Sequence, residues 1–146
     1  MVDKQLILMK KRISVLLVVI WMTIIFIMSS FNSNDSQHQS SLIVDAVSDL
    51  FNINNIYLLS YLIRKLAHFT EFLILGLLVS NVIMIYDKKI YLAIIICVLY
   101  AISDEVHQLF ITGRSAEIID VIIDSMGSLL GILIFNIYNK RKLRGK

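Results

Sequence analysis

The sequence predicts an all-α, four-helix transmembrane bundle with a short amphipathic interfacial helix on its outer side. Three observations predict it. Of 146 residues, 58% are hydrophobic, and the mean hydropathy of +0.78 is too high for an ordinary soluble domain. The apolar residues fall in four runs, each near the roughly 20 residues that cross a hydrocarbon core. The basic residues gather at one set of run ends, as the positive-inside rule asks of a multi-pass chain. Proline is absent, so sharp proline kinks are excluded. The length fits a single domain over residues 1–146.

The first helix is predicted from about Ile13 to Ser30, after Lys10-Lys11-Arg12. That basic start also resembles a signal peptide, but no small-residue A-x-A site follows, so the segment reads as a retained helix. The second helix is predicted from about Tyr61 to Ile85, the third from about Ile90 to Gln108 and the fourth from about Ile118 to Tyr138. Lys4 and Lys10 to Arg12 precede the first, Lys88 and Lys89 join the second to the third, and Lys140-Arg141-Lys142 with Arg144 and Lys146 follow the fourth. In a four-span chain these all lie on one side, which makes both termini cytoplasmic. The basic tail reads as a membrane anchor rather than a nucleic-acid contact, and no nucleic-acid partner is expected. Gln37 and Thr112 then fall outside.

The outer segment from about Phe31 to Ser60 is not uniform. Asn32 to Gln39 is polar and irregular, with His38 solvated. Ser41 to Phe51 puts Ile43, Ala46, Val47 and Leu50 on one helical face and Asp45, Ser48 and Asp49 on the other. This is the interfacial helix, with Ser40 or Ser41 as its cap. It serves either as a rigid connector or as a lid over polar groups beneath it. Cys97 lies inside an apolar run with nothing near it to lower its pKa, so it reads as a buried thiol.

The apolar runs are interrupted by charge at helical spacing. A charged side chain at the bilayer centre costs at least roughly 2.5–3.5 kcal/mol, and such residues mark functional or tightly paired positions. On the second helix Arg64, His68 and Glu71 share one face and Lys65 borders it. They form either an intrahelical ion-pair ladder with a snorkelling arginine or a tuned acid–base group or ligand set around His68. On the third helix Asp104, His107 and Gln108 share a face, while Glu105 points about 100° away. The fourth helix carries Asp120, Asp124, Gly127 and Gly131 on one stripe, and with Gly76 on the second helix these small residues allow close backbone approach. Asp120 and Asp124 repel each other and need a proton, a cation, Arg64, Lys65 or Arg114 to compensate.

Gly113 makes a tight turn that holds Arg114 over the helix ends. Its guanidinium suits a phosphate or carboxylate ligand, or a structural bridge to Asp120 or Glu105. All these groups lie near the outer face. Three cations (Arg64, Lys65, Arg114) stand against five carboxylates (Glu71, Asp104, Glu105, Asp120, Asp124). That excess of acid favours a bound cation, an internally paired network or acid–base chemistry. Histidine and carboxylates suit Zn or Mn, yet there is no HExxH, paired HxxxH or Cys cluster, and the metal and any other cofactor stay unassigned. There is also no GxSxG and no Walker loop.

The segments Arg64-Lys65-x-x-His68-Phe69-x-Glu71, Ser103-Asp104-Glu105-x-His107-Gln108-x-Phe110 and Gly113-Arg114, followed by Asp120, Asp124, Gly127 and Gly131, together resemble the VanZ-like family. The Trp21 helix ending in Ser29-Ser30 is similar as well, and the resemblance covers roughly residues 15 to 137. It implies a small membrane protein of the bacterial cell membrane, from a family whose namesake is linked to teicoplanin resistance. Thr112 stands where the family often has proline, and Phe72 where it often has tyrosine.

Three functions are compatible with these residues. One is recognition of an amphiphile at the outer leaflet, a teicoplanin-type lipoglycopeptide or a phospholipid headgroup. There Arg64, Lys65 and Arg114 would bind anionic groups, with Glu105 and Gln108 beside them. His68, Glu71, Asp104, His107, Asp120 and Asp124 would tune them. The second is a membrane-embedded acid–base or metal-assisted hydrolase or transferase on a lipid-linked substrate, with those same six as catalytic candidates. The third is a purely structural network that specifies helix packing. Membrane lipids are the expected partners in each.

Overall fold

The computed structural model describes residues 2–31, 43–51 and 53–144, with the side chains of residues 2, 3, 143 and 144 left aside. The helices are α1 (Val2–Ser29), α2 (residues 43–51), α3 (Ile56–Ile85), α4 (Tyr91–Gln108) and α5 (Ile118–Arg144). Four of them, all but α2, are long and apolar enough to cross a membrane. The chain is thus an all-α, multi-pass membrane protein. The expected loop at 32–39, the solvated His38, the cap at Ser40 or Ser41 and the external Gln37 lie outside the described residues.

α1 starts eleven residues before the predicted Ile13, because nothing between Val2 and Arg12 breaks a helix: no Gly and no Pro interrupt Leu6 to Met9. α3 also starts early, at Ile56. Its cap is Asn55, whose Oδ1 accepts a hydrogen bond from Leu58 N at 3.1 Å. At its other end Asp87 takes a left-handed turn (φ 53°), and Lys88 N donates back to Ile83 O at 2.9 Å. That closes a tight α3–α4 hairpin.

α3 is the centre of the bundle. It packs against α1, α4 and α5, most extensively against α5. The reason is glycine on both sides of the crossing. A Cβ at Gly76 would sit 2.3 Å from Ser128 O, at Gly127 2.3 Å from Phe69 O, and at Gly131 2.1 Å from Leu73 O. Any larger residue would collide with backbone, so the two helices touch main chain to main chain. The apolar core follows this axis: Ile25, Phe72, Leu75, Val79, Ile83, Ala93, Cys97, Ala101 and Ile132. α1 is tied to it by two long-range bonds, Trp21 Nε1 to Glu71 O at 2.9 Å and Tyr100 Oη to Met22 O at 2.5 Å. The outward faces stay apolar, as at Leu16, Phe26, Leu99, Ile122 and Leu133.

α2 shares a groove with the first turns of α3, and its exposed apolar residues agree with a face laid on lipid. Val44 is the residue that is buried, whereas Ile43 and Leu50 are exposed. Val47, between them in sequence, is half-buried. Ser48 fixes the connection, with its Oγ donating to Ile53 O at 3.0 Å and its carbonyl accepting from Ile53 N at 3.1 Å.

Candidate functional site

The antiparallel course of α3, α4 and α5 brings the start of α3, the end of α4 and the start of α5 to the same end of the bundle. The buried charged residues of the described chain gather there: Lys65, Asp104, Glu105, Asp120 and Asp124, with His68 and Gln108.

They form two layers. In the inner layer α3 contributes His68, α4 Asp104 and α5 Asp124. One donor atom from each lies within 4.8 Å of the others. His68 Nδ1 stands 3.7 Å from Asp124 Oδ1. Asp104 Oδ2 accepts from Gln108 Nε2 at 3.0 Å, one helical turn on. Asp124 is fully buried, at 0% exposure. Neither of its carboxylate oxygens has a hydrogen-bond partner among the described residues, and the same holds for Asp104 Oδ1 and His68 Nδ1. Such groups are costly to bury.

In the outer layer Lys65 joins α3 to α5. Its ammonium bonds Glu117 Oε2 at 2.8 Å and also reaches Asp120 Oδ1. It further lies 4.8 Å from the centre of the Tyr61 ring. Glu105 turns its Oε2 to Glu117 N at 2.8 Å, just ahead of the first residue of α5, where a carboxylate meets the positive end of the helix. Arg114 sits in the field of Asp104, Glu105, Glu71 and Arg64. Burial, then the adjacent Arg64, push its guanidinium down from its ordinary value, while the acids push back. Gly113, at φ 78°, makes the turn that places it. Glu71, half-buried, interacts electrostatically with Asp104 and Arg114.

Between the layers and the surface opens a cleft of about 90 Å³. Arg64, Lys65, His68, Gln108, Arg114 and Asp120 border it. A second, shallower groove of about 290 Å³ runs between α2 and the start of α3, past Val44, Ile56, Tyr57 and Ser60. The two share Tyr61 and Arg64 in their walls.

His107 is the candidate that the structure sets apart. Its ring packs on Phe26 of α1, centroids 4.2 Å apart, with Nδ1 3.4 Å from Ser29 Oγ. Glu105, expected to point elsewhere, is buried among the acids at 3% exposure. The arc of α4 that faces inward is centred near Gln108 and includes residues 104, 105 and 108. At about 100° per residue, His107 then lies about 60° beyond its edge. Glu117 and Tyr61 belong to the cleft but were not read from the sequence as site residues. Their signal is weak: Tyr61 precedes Lys65 by one helical turn, and Glu117 precedes Asp120 by three residues. Phe72, where a tyrosine is common in the resembling family, is fully buried in the apolar core.

This architecture is that of a polytopic helical membrane protein with a buried ionisable cluster at one end. The family model VanZ/LLP1 matches residues 14–139, and the chain belongs to that family. No curated protein and no solved structure was found to match.

Proposed function

We propose that this VanZ/LLP1 protein binds the anionic head of an amphiphile at the outer leaflet of a bacterial cell membrane, with both of its termini in the cytoplasm. One observation carries the reading. Arg64 and Arg114 are like charges in electrostatic contact on one cleft. Lys65 is already engaged by Glu117 and Asp120, and Arg64 makes no ion pair among the described residues. Two guanidiniums held together at a cleft suit a shared phosphate or carboxylate. The adjoining groove, with its aliphatic and aromatic walls, suits the apolar part of the same molecule. The ligand class is a phospholipid headgroup or the acidic portion of a teicoplanin-type lipoglycopeptide.

The test is native mass spectrometry of the detergent-purified protein with a phosphatidylglycerol, a phosphatidylcholine and teicoplanin added in turn. Selective retention of the phosphatidylglycerol or of teicoplanin is expected, and Arg64→Ala should remove it without lowering the melting temperature. Equal retention of all three, or no change in Arg64→Ala, would overturn the reading. The orientation is tested separately by labelling intact cells with an impermeant thiol reagent: Thr112→Cys should react and Lys140→Cys should not. The reverse pattern would put the cleft on the wrong side.

A membrane-embedded hydrolase or transferase is the second reading. It is favoured by the position of His68, which borders the cleft and stands 3.7 Å from the buried Asp124. Turnover of a lipid-linked phosphate by the purified protein would establish it in place of simple binding.

A further inference from the structure

The inner layer is not accounted for by anion recognition. Glu117 raises the acids at this end to six (Glu71, Asp104, Glu105, Glu117, Asp120, Asp124) against Arg64, Lys65 and Arg114. Lys65 serves Glu117 and Asp120. Glu105 is committed to the start of α5. That leaves the buried Asp104 and Asp124, which share one group of donors with His68.

We infer that His68, Asp104 and Asp124 bind a divalent metal ion of the Mn²⁺ or Zn²⁺ class beneath the cleft. Four observations support it. The three donors come from three different helices yet lie within 4.8 Å of one another. Ligand atoms on a tetrahedral ion with bonds of about 2.0–2.2 Å stand about 3.4 Å apart, so closure from within 4.8 Å asks for at most about 1.4 Å of approach between any two donors. The fully buried Asp124 has no hydrogen-bond partner on either oxygen, which leaves its carboxylate free to ligate. Asp104 is oriented the way metal carboxylates are: Gln108 holds Oδ2, and Oδ1 is without a partner. His68 offers Nδ1, likewise unpartnered, and also borders the cleft, which gives an ion a route from the surface.

The chemistry of the set fixes the class of ion. Two carboxylates offset a charge of +2. A single imidazole beside them favours a borderline ion over Ca²⁺ or Mg²⁺. Asp120, although one turn from Asp124, is taken by Lys65 and is not a ligand. The ion would also offset the acid-rich floor of the cleft, and so reduce the repulsion that an anion held by Arg64 and Arg114 meets there.

The test uses the full chain in mild detergent, stripped with a chelator and reloaded with Mn²⁺ alone. One bound Mn²⁺ per chain is expected, with a nitrogen coupling from one histidine in its pulsed electron paramagnetic resonance spectrum and displacement by Zn²⁺. Asp124→Asn and Asp104→Asn should each weaken Mn²⁺ binding by at least about tenfold. Arg64→Ala, which removes a neighbouring positive charge, should not weaken it, so that loss of the metal site and loss of anion binding are read separately. Should the Asn variants not fold, the wild-type spectrum still decides. The inference is overturned if wild type holds no Mn²⁺, if the histidine coupling is missing, or if folded Asp124→Asn binds as wild type does. A chain that holds no ion but melts higher as Asp124→Asn has a proton where the metal is assigned.

Discussion

The two ends of the bundle solve the problem of charge in opposite ways. At one end the basic residues are held loosely. Lys11 lies 4.7 Å over the Tyr86 ring, Asn81 donates to Ser14 at 3.1 Å, and Asn139 reaches Met84 Sδ at 2.7 Å. These contacts show that the start of α1, the α3–α4 turn and the end of α5 share that end. Lys88, Lys89 and Lys140 to Lys142 there are exposed and need no partners. At the other end Lys65, Asp104, Glu105, Asp120 and Asp124, drawn from three helices, are buried together. An exposed charge anchors a helix through solvation and lipid phosphates. A buried one has to be matched, which makes that end fragile to substitution and specific in what it can bind.

The largest effect is expected where the two ends are joined. Gly131→Val forces a branched side chain onto Leu73 O, where even a Cβ would stand at 2.1 Å. The α3–α5 axis must then open, at a cost of about 3 kcal/mol or more. Size-exclusion and thermal melting should show loss of the folded species, and both ends should fail together. Normal melting would mean that the main-chain contact does not organise the bundle.

Lys65→Met confines the damage to the polar end. It strands Asp120, whose side chain is 9% exposed, and to a smaller degree Glu117, which is 43% exposed and screened by water. Removing one member of a buried pair costs about 3–5 kcal/mol. Adding Asp120→Asn should recover most of the lost melting temperature. If the double variant is no better than the single one, the bridge is not what Lys65 contributes.

The mirror experiment at the basic end should do little. Lys11→Ala removes a cation from the Tyr86 ring, worth about 0.5–1 kcal/mol at an accessible site. A melting shift as large as that of Lys65→Met would erase the contrast between the ends.

Much of this was written in the chain. The four apolar runs, the single-sided basic residues and the i, i+4 spacing of Arg64 and His68 or Asp120 and Asp124 need only helical geometry and the cost of charge in lipid. They named the fold and the end at which the polar groups would gather. The glycines at 76, 127 and 131 likewise marked the helix contact, because only a missing Cβ lets main chains touch. Other features were decided by packing. Periodicity fixes the angle between Asp104 and His107 on α4 but not how far α4 is rotated toward its neighbours. Packing of α4 against α3, α5 and α1 decides that rotation: Glu105 faces inward to Glu117 N while His107 turns to Phe26 and Ser29. The partner of Lys65 was equally invisible, since Glu117 and Asp120 lie more than fifty residues away in sequence and meet it only when α5 closes on α3. Local spacing determines which groups can share a face. Only the assembled bundle determines which faces meet.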